Sequence, residues 1–169
     1  LVAVSNRVTI PSRAAAAGGL VVGVLAAMQA RGGLWFGWSG ETTAGVPGPA
    51  AVKERQGVYF ATIDLPQADC EQYYGGFCNG TLWPLFHYFV GAIRYSAEQH
   101  AAYRRVNALF AERLLPLLRS DDLVWVHDYH LVPLGGELRE RGATQPLGFF
   151  LHIPFPHHEA LRSMPGWEE

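Results

Sequence analysis

The sequence predicts an α/β fold with a largely parallel sheet and flanking helices. Short apolar runs rich in β-branched and aromatic residues alternate along the chain with segments of helical spacing. Two of these runs, 123–126 and 147–151, enclose a helical segment at 131–141, which is typical of a βαβ unit with parallel strands. Hydrophobic residues make up 49% of the chain and charged residues 17%, as expected for a globular, core-rich protein.

Each element follows from the local pattern. Apolar runs without helical periodicity predict strands at 1–5, 34–40, 57–65, 123–126 and 147–151. Apolar residues at steps of three and four predict helices at 18–31, 97–118 and 131–141. Arg31, Gly32 and Gly33 form a C-terminal stop for the first of these helices.

Two segments carry other patterns. Residues 41–55 are rich in Gly, Pro and Ala and predict a surface loop. Residues 71–89 are dense in aromatic side chains, with Asn79 as a predicted helix N-cap and Pro84 in the first turns that follow. The chain length of 169 residues fits one domain.

Charge and cysteine content exclude several functions. The net charge is −2 and the basic residues are scattered, which argues against a nucleic-acid or membrane-binding surface. Cys70 and Cys78 have no metal or redox spacing and fit a reducing cytoplasm. No signal peptide is visible, and no apolar run reaches the roughly 20 residues that span a bilayer.

The first strand, a glycine pair and the next helix form a candidate anion site. Free amides and the helix dipole at Gly18 and Gly19 would face an anion, and Arg7 is the nearest cation in sequence. The alternative is that the pair only permits a tight turn and close packing, because the spacing with Gly23 is not GxGxxG.

Polar residues follow both strands of the βαβ unit. His127 and Asp128 come after the first strand and His152 after the second, so all three face the crevice in which such sheets bind ligands. A carboxylate there can bind hydroxyls and accept a proton, and a histidine can donate to an oxygen. These residues predict a polyol- and phosphate-binding site with Asp128 and His152 at its reactive centre.

Three aromatic residues are further candidates. Trp38, flanked by glycines, is better placed than Trp35 to line a sugar. We predict that Tyr74 and Trp83 face a cleft. The stretch around them holds more aromatic rings with polar atoms than a purely hydrophobic core would accommodate. Core packing is the alternative for each of them.

Seven histidines raise the hypothesis of a metal-dependent hydrolase. His127 and His130 straddle a strand-to-loop corner, where their side chains need not converge, and the chain has neither an HExxH pair nor clustered cysteines. We therefore predict no metal and no cofactor. His157 and His158 are predicted to lie in a solvated loop.

The ordered set of motifs resembles the trehalose-6-phosphate synthase family, glycosyltransferase family 20, over essentially all 169 residues. The matching segments are 5–7, 17–20, 33–40, 82–88, 105–107, 124–131 and 148–156. Members are retaining glycosyltransferases of the GT-B fold. The resemblance implies transfer of glucose from a nucleotide sugar, usually UDP-glucose, to glucose 6-phosphate, giving α,α-trehalose 6-phosphate and UDP.

The resemblance also implies two Rossmann-like domains with the site between them. Residues 1–169 match only the N-terminal, acceptor-side domain, so we interpret the chain as truncated, with its C-terminal, donor-binding domain absent. The alternative is a non-catalytic sugar-phosphate-binding domain of the same fold. The donor nucleotide and the oligomeric state, a homo-oligomer included, stay open.

The resemblance assigns site residues by position. Those on the glucose 6-phosphate side are Arg7 at the phosphate, Tyr74, Trp83 and Asp128. Those on the nucleotide-sugar side are Gly19 and His152, with Trp38 lining the site. Asp128 and His152 would position and stabilise the reacting groups more than they would shuttle protons.

Overall fold

A computed structural model describes residues 1–10 and 19–165 of the chain. Its strands are β1 (Val2–Arg7), β2 (Gly33–Thr43), β3 (Ala51–Arg55), β4 (Val58–Pro66), β5 (Val124–His127) and β6 (Leu147–Phe150). They form one sheet in the order β3-β4-β2-β1-β5-β6, and every neighbouring pair except β3–β4 is parallel. The predicted α/β class with a largely parallel sheet is confirmed.

The helices flank this sheet. They are α1 (Gly19–Arg31), α2 (Gln67–Cys70), α3 (Trp83–Phe86), α4 (Ala97–Leu114), α5 (Leu134–Glu140) and α6 (His158–Arg162). A π-helix spans Glu71–Leu82, and short 3₁₀ turns lie at Val90–Ala92, Leu115–Leu117 and Tyr129–Leu131. Within the described part of the chain, none of the helices has the length and apolarity needed to cross a membrane.

The predicted surface loop at 41–55 is partly wrong. Strand β2 continues to Thr43, and β3 pairs antiparallel with β4 through a two-residue turn at Gln56 and Gly57. Both turn residues have positive φ, 54° and 76°, as a tight hairpin turn requires. All five residues of β3 are exposed, so no apolar alternation marks the strand.

The prediction that Asn79 caps a helix is wrong. Asn79 lies within the π-helix, which joins α2 to α3 without a break. Tyr73 and Phe77 are buried on this helix and pack against Tyr103 of α4, with ring centroids 6.0 and 4.8 Å apart. Tertiary packing of these rings thus continues the helix through the predicted N-cap.

Other helix ends differ by a turn or less. Helix α1 ends at Arg31 as predicted, while Gly18 lies outside the described residues. The 3₁₀ turn after Asp128 delays the start of α5 to Leu134. His157 and His158 are exposed as predicted, yet His158 opens α6 and His157 Nδ1 caps it by accepting from the Glu159 amide.

The sheet is covered on both faces. A large buried cluster joins β1, β2, β4 and β5 to the π-helix, α4 and α5, and contains an edge-to-face contact of Phe36 with Phe110 at 5.6 Å. A smaller cluster, with Val24, Met28 and Trp35, lies under α1. Strand β1 has β2 on one side and β5 on the other, so the connections diverge there and leave a crevice at the carboxyl ends.

Candidate active site

Two histidines and an aspartate meet where β5 and β6 end. His127 Nδ1 lies 3.0 Å from His152 Nε2, and Asp128 Oδ1 accepts from the His152 amide at 3.4 Å. The Asp128 amide donates to the Phe150 carbonyl at 2.8 Å, which ties the residue to the end of β6. The structure therefore brings Asp128 and His152 together, as the strand-end argument predicts.

The backbone at Asp128 has an uncommon conformation. Its φ is +75°, in a region that L-residues rarely adopt, with Asp and Asn among the more tolerant. The Asp128 carboxylate accepts from the Tyr129 amide at 3.0 Å and thereby caps the short 3₁₀ turn. Both bonds from described residues go to Oδ1, so Oδ2 has no such bond and can accept one from a substrate hydroxyl.

A row of ring contacts leads from this corner to Arg7. His130 stacks on Tyr129 at 4.0 Å and on Tyr74 at 5.7 Å, and Tyr74 lies 6.0 Å from Trp38. The Arg7 guanidinium then sits 5.7 Å from the centre of the Trp38 ring. A cation, an aromatic wall, a carboxylate and an imidazole are thus joined along one edge of the sheet.

The predicted aromatic residues differ in exposure. Tyr74 is 40% exposed and Trp83 39%, so both rings are open to solvent, whereas Trp38 is only 7% exposed. The Trp38 indole N–H donates to the Glu41 carbonyl at 2.6 Å, and the face of the Trp38 ring contacts the Arg7 guanidinium. Trp35 is fully buried and donates to Ser5 Oγ, so it belongs to the core.

Trp83 lies in a separate aromatic group. Its ring stacks on His87 at 4.2 Å and contacts Phe89 at 5.8 Å. The structure shows no ring contact of Trp83 with Trp38 or Tyr74, although all three side chains are described. A ligand that touches both Arg7 and Trp83 must therefore bridge the two groups. Gly19 is the first residue of α1, as the anion-site hypothesis requires.

Burial keeps two of these histidines neutral. It lowers the pKa of His127 to about 4, helped by the nearby His152, while the Asp128 carboxylate acts in the opposite direction. Burial also lowers the pKa of His130 to about 4 against the same carboxylate. Both rings are therefore uncharged near neutral pH, and they add no positive charge beside an incoming phosphate.

These pKa values predict that acid destabilises the fold. Between pH 6.5 and about 4 the unfolded chain binds more protons than the folded one, so the free energy of unfolding falls as the pH drops. Each histidine contributes up to about 1.4 kcal/mol per pH unit in that window. Denaturant titrations of the protein at several pH values across this range measure the slope.

The matched control is His130→Phe. It keeps an aromatic ring between Tyr74 and Tyr129 and removes one titrating group whose nitrogens have no described partner. Its slope should be shallower than the wild-type slope, and its stability at pH 7 should be equal or higher. Identical slopes would show that His130 is not held neutral in the fold.

The histidines do not converge as a metal site. Among the side chains of the described residues, no three from His, Cys, Asp and Glu are placed to hold one ion. The nearest approach is the direct bond between His127 and His152.

Two contacts were missed by the sequence argument. The strand-end pattern places His127 at the crevice, but its bond to His152 depends on the orientation of the two rings. Asn79, taken for a helix cap, instead accepts from the Tyr129 hydroxyl at 3.2 Å and links the π-helix to the loop beside Asp128. No local sequence signal marks that contact across 50 residues.

Comparison with known proteins places these features in a family context. The family model of glycosyltransferase family 20 matches residues 5–169. A trehalose-6-phosphate synthase of Citrobacter koseri is 50% identical over 165 residues, which is 98% of this chain and 35% of that protein. The chain thus spans about a third of the length of the curated relatives it matches.

Solved structures agree in fold. A UDP-forming α,α-trehalose-phosphate synthase from Burkholderia xenovorans, in complex with glucose-6-phosphate, is 48% identical with a TM-score of 0.89. An Escherichia coli structure bound with UDP-2-fluoro glucose is 46% identical with a TM-score of 0.90. Each alignment covers 99% of this chain and 36% of the solved one.

Proposed function

Since this chain belongs to glycosyltransferase family 20, we propose that it is the N-terminal, acceptor-side domain of a trehalose-6-phosphate synthase. The whole enzyme would move glucose from UDP-glucose to glucose 6-phosphate, giving α,α-trehalose 6-phosphate and UDP. Its second domain, which would bind the donor diphosphate, is the main partner of this one. The observation that carries the proposal is the unbroken row of contacts from Arg7 to Asp128 and His152.

Arg7 would bind the phosphate of glucose 6-phosphate. None of the ion pairs found among the described residues includes Arg7, so its guanidinium is available to an anion. A guanidinium can donate two parallel hydrogen bonds to phosphate oxygens. Contact with the Trp38 face limits the motion of the side chain and reduces the entropy lost on binding.

Tyr74 and Trp83 would hold the acceptor sugar between them. Both are partly exposed and lie at opposite ends of one helical segment, with Tyr74 turned toward the Arg7 side. Asp128 Oδ2 would then accept a hydrogen bond from an acceptor hydroxyl and orient it toward the donor.

The donor side would use Gly19 and His152. The Gly19 amide is at the start of α1, and the free amides and dipole of a helix N-terminus would stabilise a diphosphate there. His152 is exposed and held by its neighbours, so it would contact the transferred glucose. We infer front-face transfer, in which the leaving phosphate takes the acceptor proton and Asp128 and His152 position the reacting groups.

We also propose a cytoplasmic setting and no prosthetic group. Cys70 and Cys78 are both free thiols, and burial raises the pKa of each, which suits unreactive cysteines in a reducing compartment. The chemistry of transfer is supplied by the nucleotide sugar itself, whose diphosphate is the leaving group. UDP is the proposed nucleotide because a relative binds a UDP sugar.

The proposal is tested with the full-length protein. UDP release should require both UDP-glucose and glucose 6-phosphate, and the disaccharide product should have the α,α configuration by NMR. Glucose 6-phosphate binding without any turnover would favour a sugar-phosphate-binding protein of the same fold. UDP release that does not depend on glucose 6-phosphate would contradict the assigned acceptor.

A further inference from the structure

His127 is the last residue of β5 and is almost completely buried, with 1% of its surface exposed. Its ring packs against Trp125 at 4.2 Å between centroids, and its backbone pairs with Phe150 of β6. The Phe150 ring in turn contacts the His152 ring at 4.8 Å. The core thus fixes the His127 imidazole, while the exposed His152 ring is held by Phe150 and by His127 itself.

The two rings share one hydrogen bond. His127 Nδ1 and His152 Nε2 are 3.0 Å apart, and two neutral imidazoles can place only one proton between these atoms. Either His127 donates from Nδ1, or His152 donates from Nε2. The two arrangements give the other nitrogen of His152 opposite roles: Nδ1 is a donor in the first and an acceptor in the second.

The other nitrogen of His127 discriminates between them. His127 Nε2 is buried and has no partner among the described residues. If His152 donated, His127 would carry an unpaired buried N–H at this position. Orphaned buried N–H groups are rarer in native proteins than acceptors with a free lone pair. The first arrangement leaves only a bare ring nitrogen there, so it is the less costly one.

We propose that His127 is a positioning residue, which donates from Nδ1 to His152 Nε2 and so keeps His152 in the tautomer that carries its proton on Nδ1. His152 then presents a fixed hydrogen-bond donor to a sugar hydroxyl oxygen on the donor side. The inference rests on the proposed function and deepens it, because it names the group that orients the donor-side histidine. His127 itself does not touch substrate.

Three substitutions separate this role from simple packing. The amide nitrogen of Asn occupies nearly the position of His Nδ1, so His127→Asn keeps a donor to His152. His127→Gln carries the amide one carbon further, and His127→Leu removes it. Loss of one oriented hydrogen bond should lower kcat/KM for UDP-glucose about tenfold in the Leu and Gln variants, with the Asn variant close to wild type.

The KM for glucose 6-phosphate provides the internal control. Of its proposed contacts, Arg7, Tyr74 and Trp83 are not bonded to His127. Asp128, the next residue, is held by its bonds to the Tyr129 amide and the Phe150 carbonyl, so this KM should stay unchanged in all three variants. Equal losses in the Asn, Gln and Leu variants, or a parallel rise in the KM for glucose 6-phosphate, would show that His127 only fills space and would overturn the inference.

A spectroscopic measurement tests the tautomer without relying on activity. Long-range ¹H–¹⁵N spectra of the ¹⁵N-histidine-labelled full-length protein distinguish protonated from bare ring nitrogens. The His152 signals, assigned with His152→Gln, should show protonated Nδ1 in the wild type and mixed tautomers in His127→Leu. Protonated Nε2 in wild-type His152 would overturn the inference. The expected tautomer in an inactive wild type would instead support it and count against the proposed function.

Discussion

Replacing Arg7 with alanine is expected to weaken glucose 6-phosphate binding by about 100-fold in the full-length protein, close to 3 kcal/mol. The reason is that a bidentate, charge-assisted contact to phosphate has no substitute among the neighbours that the structure places around Arg7. The Trp38 ring and the backbone at Gly40 carry no charge, and Lys53, which lines the same depression as Arg7, offers only a point charge. Calorimetric titration with glucose 6-phosphate measures the loss.

Two further substitutions serve as comparisons for Arg7→Ala. Arg7→Lys keeps the charge but loses the planar fork, so its affinity should fall between the wild type and Arg7→Ala. Arg55→Ala removes an exposed arginine from β3, near the opposite edge of the sheet, and should leave affinity unchanged. Wild-type affinity in Arg7→Ala would refute the phosphate role.

A substitution at Gly40 should also disturb the proposed contact of Arg7 with phosphate. A Cβ at Gly40 would lie 2.5 Å from Arg7 Nη2, and the residue has φ +97°, which strains any L side chain. Gly40→Ala should therefore displace the guanidinium and weaken phosphate binding, though less than removal of Arg7. Gly45→Ala is the matched control, because a Cβ there meets nothing within 4 Å.

Replacing Asp128 with asparagine should lower kcat by about 100-fold while leaving the fold intact. Asparagine tolerates a φ of +75° and keeps an oxygen that can accept from the Tyr129 and His152 amides. It loses the negative charge that would bind and orient the acceptor hydroxyl. The expected result is a change in turnover with an unchanged thermal midpoint.

The control for charge alone is Glu54→Gln, on an exposed position of β3. Its turnover should match the wild type. Asp128→Ala should be both slower and less stable than Asp128→Asn, because alanine provides no cap for the 3₁₀ turn and is strained at this φ. Full turnover in Asp128→Asn would exclude a role for the carboxylate charge.

The elements that were predicted correctly are those whose signal is local. The apolar runs of β1 and β5 lie inside the parallel sheet and are largely buried, and such strands are typically continuous hydrophobic segments. Strand β6 has the same apolar pattern at the edge of the sheet, where Phe149 and Phe150 are each 49% exposed. Strand β3 has no comparable signal, because all of its residues are exposed and it is an edge strand that pairs with β4. In the sequence, the hairpin turn at Gln56 and Gly57 is the feature that indicates a strand before β4.

The aromatic stretch shows the opposite case. Its composition predicts a helix with rings on a cleft, but a π-helix widens the turn and changes which residues share a face. Tyr73 is buried as a result of packing against α4, while Tyr74 faces His130 and Trp38. Helical periodicity of 3.6 residues could not assign those directions.

The sequence by itself determined the class of the fold, the positions of its main strands along the chain and the edge at which the polar residues gather, because strands and their polar ends follow from local patterns. Only the tertiary structure decided how those residues face one another. The bond between His127 and His152, the left-handed backbone at Asp128 and the placing of Arg7 over Trp38 all depend on side-chain directions. Packing between elements distant in the chain sets those directions.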